Sequence, residues 1–292
     1  MGAKMVEELV KTDINIDFKL DEKLSPIYNT DVNGDVQIVL FKVNYEGFEK
    51  AYLQKVCGKT CYEYVKKVCS NFKTIETEIN STDDPVFYAK SLINKDYKFT
   101  ALLFCDTPLL TSSTFLGALD YARLKNVNML RLYRGFIFNT EYLNTISNLY
   151  LKEPMDYESQ DFIVCKNYRT LHQINNLMQE RIYNYHFENG VTIVGNPIIN
   201  ADAIISRGSK IIGSSQILCS SQIAQNSIIN NSIINNTIVG ENCFIENSVI
   251  TDSIVKNNAK VEPFCNIQNK SIICENVCVK SGSYINNQKI EK

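Results

Sequence analysis

From Ile193 onward the chain repeats an aliphatic residue at six-residue steps over two long runs, and this period constrains its fold more than any other feature. Ile193, Ile199, Ile205, Ile211, Ile217 and Ile223 form one unbroken run, and Val255, Val261, Ile267, Ile273, Val279 and Ile285 form a second. Between them the step tightens to five in Ser227-Ile228-Ile229-Asn230-Asn231, Ser232-Ile233-Ile234-Asn235-Asn236 and Thr237-Ile238-Val239, followed by a six-residue step to Ile245. One large aliphatic with small residues nearby, repeated at six, suits a short strand plus a turn. Three such units close a triangular coil with the aliphatics stacked inward. The Asn- and Ser-rich remainder tolerates the tight turns at the corners. The prediction is a left-handed parallel β-helix of about five coils over residues 189–292, with shortened turns absorbing the five-residue steps.

The chain has 292 residues, which leaves room for a second domain in front. A formal net charge of -2 gives no general attraction to nucleic acid or to anionic membrane. No segment near Met1 has the cationic-then-apolar order of a secretion signal, and no run approaches membrane-spanning length. The expected setting is cytoplasmic, with the 10 cysteines reduced. Cys57 with Cys61, and Cys274 with Cys278, have pairwise spacings, but zinc would need two such pairs together or added histidines. They read as small buried apolar residues.

Leu171, Ile174, Leu177, Met178, Ile182 and Tyr185 recur at three and four, so residues 166–188 read as an amphipathic linker helix. It carries both histidines, His172 and His186, which such a helix is expected to expose. Residues 35–165 alternate strand and helix: strands at 36–43, 99–105 and 131–138, helices at 60–70 and 112–124. That order implies an α/β domain with a mostly parallel sheet. In the extension of residues 1–34, Ile14, Ile16, Phe18 and Leu20 alternate as in an edge strand.

Two motif echoes fail on spacing. Asp31-Val32-Asn33-Gly34-Asp35 begins like a calcium loop, but its glycine is two places early and Lys42 stands where a glutamate ligand belongs. Gly58-Lys59-Thr60 resembles the end of a phosphate-binding loop, but Leu53 stands where the first glycine should be.

The tetrad Cys105-Asp106-Thr107-Pro108, followed by Leu109-Leu110, is more informative. The apolar strand Ala101–Phe104 runs into Asp106, placing that carboxylate at the carboxyl end of a strand, where open α/β sheets hold ligands. Capping of the following turn is the competing reading. An apolar strand ending in Asp-x-Pro-Leu, then a linker helix, then hexapeptide coils resembles the bacterial bifunctional UDP-N-acetylglucosamine pyrophosphorylase / glucosamine-1-phosphate acetyltransferase family. The resemblance runs from about residue 36 to 285 and is patchy in front. It implies a sugar nucleotidyltransferase-like domain in which Asp106 and Asn167, the latter in Lys166-Asn167-Tyr168-Arg169, would hold Mg²⁺ on a nucleotide sugar. It makes Lys55 the counterpart of a phosphate-contacting catalytic lysine. It implies a homotrimer built through the coil.

This sequence also departs from that pattern. The family's loop Leu-x-x-Gly-x-Gly-Thr-Arg-Met is replaced by Leu40-Phe41-Lys42-Val43-Asn44-Tyr45-Glu46-Gly47-Phe48-Glu49-Lys50. One glycine, Gly47, remains. The arginine is gone, leaving Lys42, Lys50 and, further on, Lys59 as phosphate-binding cations, while Phe41 and Tyr45 add bulk. The base-reading Gly-Thr-Gly is absent, and Asp83 and Asp84 stand nearby as added negative charge. About 25 residues separate Asp106 from Tyr133-Arg134-Gly135-Phe136, which resembles the family's Asn-Thr-Gly-Ile, so the sugar-clasping hairpins are missing. The coil has no histidine to act as acetyl-transfer base, which leaves a carboxylate such as Glu262 for that role.

Phosphoryl transfer depends on positioning and charge neutralisation, and one lost electrostatic donor costs roughly 10² to 10³ in rate. The leading expectation is a catalytically impaired relative acting as a ligand-binding or scaffolding trimer. The alternatives are a working metal-dependent nucleotidyltransferase making a sugar nucleotide such as UDP-N-acetylglucosamine, and a hexapeptide acyltransferase.

Overall fold

The computed structural model describes residues 34–147, 155–157 and 160–292, and the expected edge strand at 13–20 lies outside them. The front domain is built on β1 (Val36–Asn44), β2 (Lys55–Val56), β3 (Lys59–Thr60), β4 (Lys73–Asn80), β5 (Phe99–Phe104), β6 (Met129–Leu132), β7 (Gly135–Asn139) and β8 (Met155–Tyr157). Six of these form one sheet in the order β4-β1-β5-β7-β6-β8, while β2 and β3 pair as a separate hairpin. Every residue of β5 is buried, as expected of a strand covered on both faces. Alternation along β1 divides the core. Ile38 and Leu40 pack with Val65 of α1 (Cys61–Val68) and Phe115 and Leu119 of α3 (Ser112–Leu124). Val39 and Phe41 pack with Val86 and Ala89 of α2 (Pro85–Leu92) and Leu143 of α4 (Thr140–Thr145).

The sheet is mostly parallel, as expected, with β7 alone reversed among its six described strands. β1 runs parallel to β4 and β5, but β7 is antiparallel to both β5 and β6. The single strand expected at 131–138 is a hairpin that turns at Tyr133 and Arg134. Gly135 allows the tight return: its φ is +125°, and a Cβ there would lie 2.7 Å from the Leu102 carbonyl oxygen.

The linker is α5 (Tyr168–Glu188), a 21-residue helix whose buried stripe is Ile174, Met178, Ile182 and His186. His186 is therefore not exposed as expected; only His172 on this helix is. The fourth-residue spacing of the stripe carries His186 onto the same buried face as the three aliphatics. The helix seats on the first coil, where the Gln179 amide donates to Ile199 O (3.1 Å) and accepts from Ile199 N (3.2 Å). The β2–β3 hairpin seats there as well. Cys57 O accepts from Ala201 N (2.9 Å), and a Cβ on Gly58 would meet the Asn200 amide at 2.7 Å.

Residues 192–290 form a parallel β-solenoid of three six-stranded sheets, hence six coils rather than five. The count of five assumes eighteen residues per coil; the five-residue steps shorten coils to 17 or 16, and the closing strand Lys289–Ile290 completes the sixth. Inward ladders stack in register, with Ile211 on Ile229, Ile245, Val261 and Val279 along one sheet. The five-residue steps shorten each coil without disturbing the stack: Ile229 pairs with Ile245, sixteen residues on, whereas Ile211 pairs with Ile229, eighteen on. Asparagine supplies most left-handed corners, among them Asn226, Asn231, Asn236, Asn242 and Asn258. The small residue two places before each aliphatic has its own task. Buried hydroxyls accept backbone N–H groups from the next coil, as Ser227 Oγ does from Cys243 N (2.9 Å) and Ser248 Oγ from Cys265 N (3.1 Å).

Candidate functional site

At the carboxyl ends of β1 and β5 the apolar strands deliver two polar side chains to one point. Cys105 N extends the ladder to Phe41 O (2.8 Å), and the next residue, Asp106, is fully buried. Thr107 closes the turn by donating its hydroxyl to Phe104 O (2.9 Å). The Asp106 carbonyl accepts from Cys165 N (2.7 Å), so the segment leading into α5 is laid across the same place.

The Asp106 carboxylate is fully engaged. Tyr45 donates its hydroxyl to Oδ2 (2.6 Å). From the β6–β7 turn, Arg134 donates Nη2 to Oδ2 (2.7 Å) and Nε to Oδ1 (3.3 Å). The guanidinium also lies 3.9 Å over the Phe104 ring and donates to the Tyr45 oxygen (3.2 Å). Burial pulls the Arg134 pKa down, but the adjacent Asp106 charge and its hydrogen bonds outweigh that and raise it. Burial, followed by the Asp106 charge, pushes the Tyr45 phenol up, so it remains a proton donor. Nearby, the Cys61 thiol is pushed up by its hydrogen bond with Cys165 and by burial, which disfavours a thiolate nucleophile.

Of the other sequence-predicted residues, Asn167 and Gly47 belong to segments that border this place, but their groups are engaged locally. Asn167 is exposed, and its side chain caps α5 by accepting from Thr170 N (2.9 Å), while the Thr170 hydroxyl accepts from Asn167 N (3.1 Å). Lys42 lies on β1 with its ammonium 2.7 Å from Glu76 and 4.9 Å over the Tyr62 ring. Lys66 pairs with the same carboxylate. Burial would raise the Glu76 pKa, but bonds from Lys42, Lys66 and Tyr62 prevail and bring it down to about 2. Lys55 and Lys59 sit on the β2–β3 hairpin against the first coil, with Lys55 exposed. Gly47 takes φ +72° in the turn between Tyr45 and Phe48. Among the described residues, no hydrogen bond or ion pair joins Asp106 to the side chains of Lys42, Lys55, Lys59 or Asn167. Asp83 and Asp84 have local tasks: Asp83 accepts from Asn80 N (2.7 Å), and Asp84 caps α2.

These donors do not fit Mg²⁺. Mg²⁺ needs free oxygen ligands in a near-octahedral set. Here both carboxylate oxygens already face a guanidinium, and the Asn167 oxygen is held by its helix. Among the described residues, no group of three or more His, Cys, Asp or Glu side chains could hold a metal ion. Glu262 in the coil is paired with Lys280 (3.4 Å) and accepts from Ser281 N (3.2 Å).

Arg134 and Tyr45 are the residues that sequence reading did not join to Asp106. Both stand at departures from the family pattern. Their link runs over 28 and 61 positions of sequence, which no local spacing reveals.

The family model described as GlmU-like, C-terminal hexapeptide matches residues 219–292. No curated protein sequence matches the chain. Among solved structures, Rv0371c of Mycobacterium tuberculosis H37Rv is similar over 49% of this chain and 97% of its own, with 9% identity and a TM-score of 0.37. The 4-diphosphocytidyl-2C-methyl-D-erythritol synthase of Anaerococcus prevotii DSM 20548 is similar over 49% and 98%, with 8% identity and a TM-score of 0.33.

Proposed function

We propose that the front domain keeps a nucleotidyltransferase-like layout without phosphoryl transfer, and that the chain works as a ligand-binding or scaffolding protein. The observation that carries this reading is the Arg134–Asp106–Tyr45 cluster. In the resemblance drawn from the sequence, Asp106 receives Mg²⁺. In this chain a tethered monovalent cation makes a two-point contact with that carboxylate, and a phenol donates to one of the same oxygens. Mg²⁺ would have to displace a charge that is covalently attached and roofed by Phe104. Of the cations expected to hold phosphate, Lys42 is committed to Glu76, and Lys55 stands exposed on the hairpin against the first coil.

Self-association as a trimer belongs to the same reading. It is supported by the hexapeptide match and by a parallel solenoid of three six-stranded sheets. A nucleotide sugar is the ligand class this reading retains, bound without a metal step.

Mn²⁺ provides a direct test, because its paramagnetic spectrum separates bound from free ion. The wild type should show no Mn²⁺ held at Asp106 at up to millimolar concentration. Arg134→Met should gain a weak site that Asp106→Asn/Arg134→Met loses. Stoichiometric binding by the wild type that disappears in Asp106→Asn would overturn the reading.

A further inference from the structure

The last turn of α5 and the first corner of the solenoid border a cleft of about 640 Å³, lined by His186, Glu188, Arg207 and, from the next coil, Gln225. The 21 residues of α5 carry the chain roughly 30 Å from the Asp106 segment. The cleft is therefore separate from the strand-end cluster.

His186 reaches the cleft from the buried stripe of α5. The residue is 1% exposed. Neither ring nitrogen makes a hydrogen bond among the described residues, and Nδ1 is closed off from solvent. An aliphatic residue would complete the stripe begun by Ile174, Met178 and Ile182 without burying an unsatisfied nitrogen. A buried polar group that the fold leaves unsatisfied marks a place where the protein can bond to something other than itself.

Two opposite charges stand beside this imidazole. Arg207 and Glu188 are exposed, and among the described residues neither side chain makes a hydrogen bond or ion pair, with the other or with a third group. Arg207 is nevertheless placed. A Cβ on Gly190, which has φ +79°, would lie 2.9 Å from Arg207 Cγ, so the arginine stem is laid across the glycine. Gly208 N donates to Gly190 O (2.9 Å) and ties the corner to the helix end. The helix C-terminus favours a cation there but leaves the fork of donors free.

We propose that this cleft binds a small zwitterion of the amino-acid class, its carboxylate on Arg207, its ammonium on Glu188 and its body on the His186 imidazole. Arg207 alone would suit any oxyanion, but Glu188 repels a ligand that is only anionic. Two charges held apart suit a ligand that carries both signs. The planar guanidinium matches a carboxylate with two parallel bonds. Burial lowers the His186 pKa to about 4, so at neutral pH the imidazole adds a polar contact without upsetting the balance of charge. The Gln225 amide, also without a partner among the described residues, adds a second neutral contact. The volume falls within the roughly 300–1,000 Å³ of small-molecule sites and leaves room for the side chain of an amino acid.

Nuclear magnetic resonance of ring-labelled histidine in the full chain tests this. The sequence has two histidines, and exposed His172 serves as internal reference. The probes are the standard amino acids, added singly at millimolar concentration, with succinate as an anion lacking an ammonium and putrescine as a cation lacking a carboxylate. The expected result is an amino acid that moves the His186 signals and leaves those of His172 in place. Succinate and putrescine should bind at least about tenfold more weakly, and Arg207→Gln and Glu188→Gln should each weaken the amino acid at least about tenfold, the loss of one charged contact. Both variants replace exposed side chains, and an unchanged melting temperature checks that they fold. His186 signals that no amino acid moves would overturn the site. Succinate binding as tight as that of the amino acid, or binding indifferent to Glu188→Gln, would overturn the proposal in favour of a simple anion.

Discussion

Asp106 is fully buried while the Arg134 side chain is 25% exposed, and this asymmetry sets the order of two substitutions. Removing one member of a buried ion pair costs about 3–5 kcal/mol, because the remaining charge is left uncompensated. Arg134→Met strands a carboxylate that solvent cannot reach and belongs at the upper end. Asp106→Asn strands a guanidinium that solvent can partly hydrate and belongs at the lower end. Urea unfolding of both singles and of Asp106→Leu/Arg134→Met checks this, and the double variant should recover most of the loss. His186 gives a pH signature at the same scale. Burial lowers its pKa to about 4, from an ordinary value near 6.5. The unfolded chain therefore binds more protons between those values. The stability of neutral burial is complete above pH 6.5, falls as pH drops through that window, and is gone below about pH 4. The full effect is of order 3 kcal/mol. Melting temperature against pH should fall less steeply in His186→Phe than in the wild type over that range.

At the scale of elements, Asn167 separates a cap from a metal ligand. Asn167→Ala should cost about 1 kcal/mol by uncapping α5, and Asn167→Asp, which keeps the acceptor, should cost little. Thermal melts with and without Mg²⁺ should show the same difference in each case; stabilisation by Mg²⁺ that Asn167→Ala alone abolishes would contradict the cap assignment. In the solenoid, Ile245→Ala should cost about 2–5 kcal/mol as an enclosed cavity. Ile290→Ala should cost less, since the closing strand leaves that residue only partly buried. Sequence legibility follows the same physics. Coil positions were readable because each aliphatic repeats a local geometry with its neighbours. The hairpin at Tyr133–Arg134 was hidden because its turn has no Asn-Gly or Asp-Gly signal and lies inside a continuous strand-like run. β4 escaped because Lys73–Asn80 is a polar edge strand with one buried residue, Ile79. Asp106 was legible at its strand end, but its partners arrive from β1 and from the far hairpin, and only the folded sheet brings them together.

For the whole molecule, the two halves form one packed unit. Val56 and Cys61 of the front domain and Ile174 and Met178 of α5 share a core with the coil aliphatics. The solenoid carries the family match and, with α5, the cleft at His186, while the front domain carries a strand-end carboxylate closed by an arginine. Among the described residues, no helix is long and apolar enough to cross a membrane. The account's central claim is that this closure ends phosphoryl transfer. Pyrophosphate release from UTP and N-acetylglucosamine-1-phosphate with Mg²⁺, extended to other nucleotides and sugar phosphates, tests it most directly when the wild type is compared with Asp106→Asn. The account predicts no release above the uncatalysed rate in either protein; Mg²⁺-dependent turnover by the wild type that Asp106→Asn abolishes would contradict it.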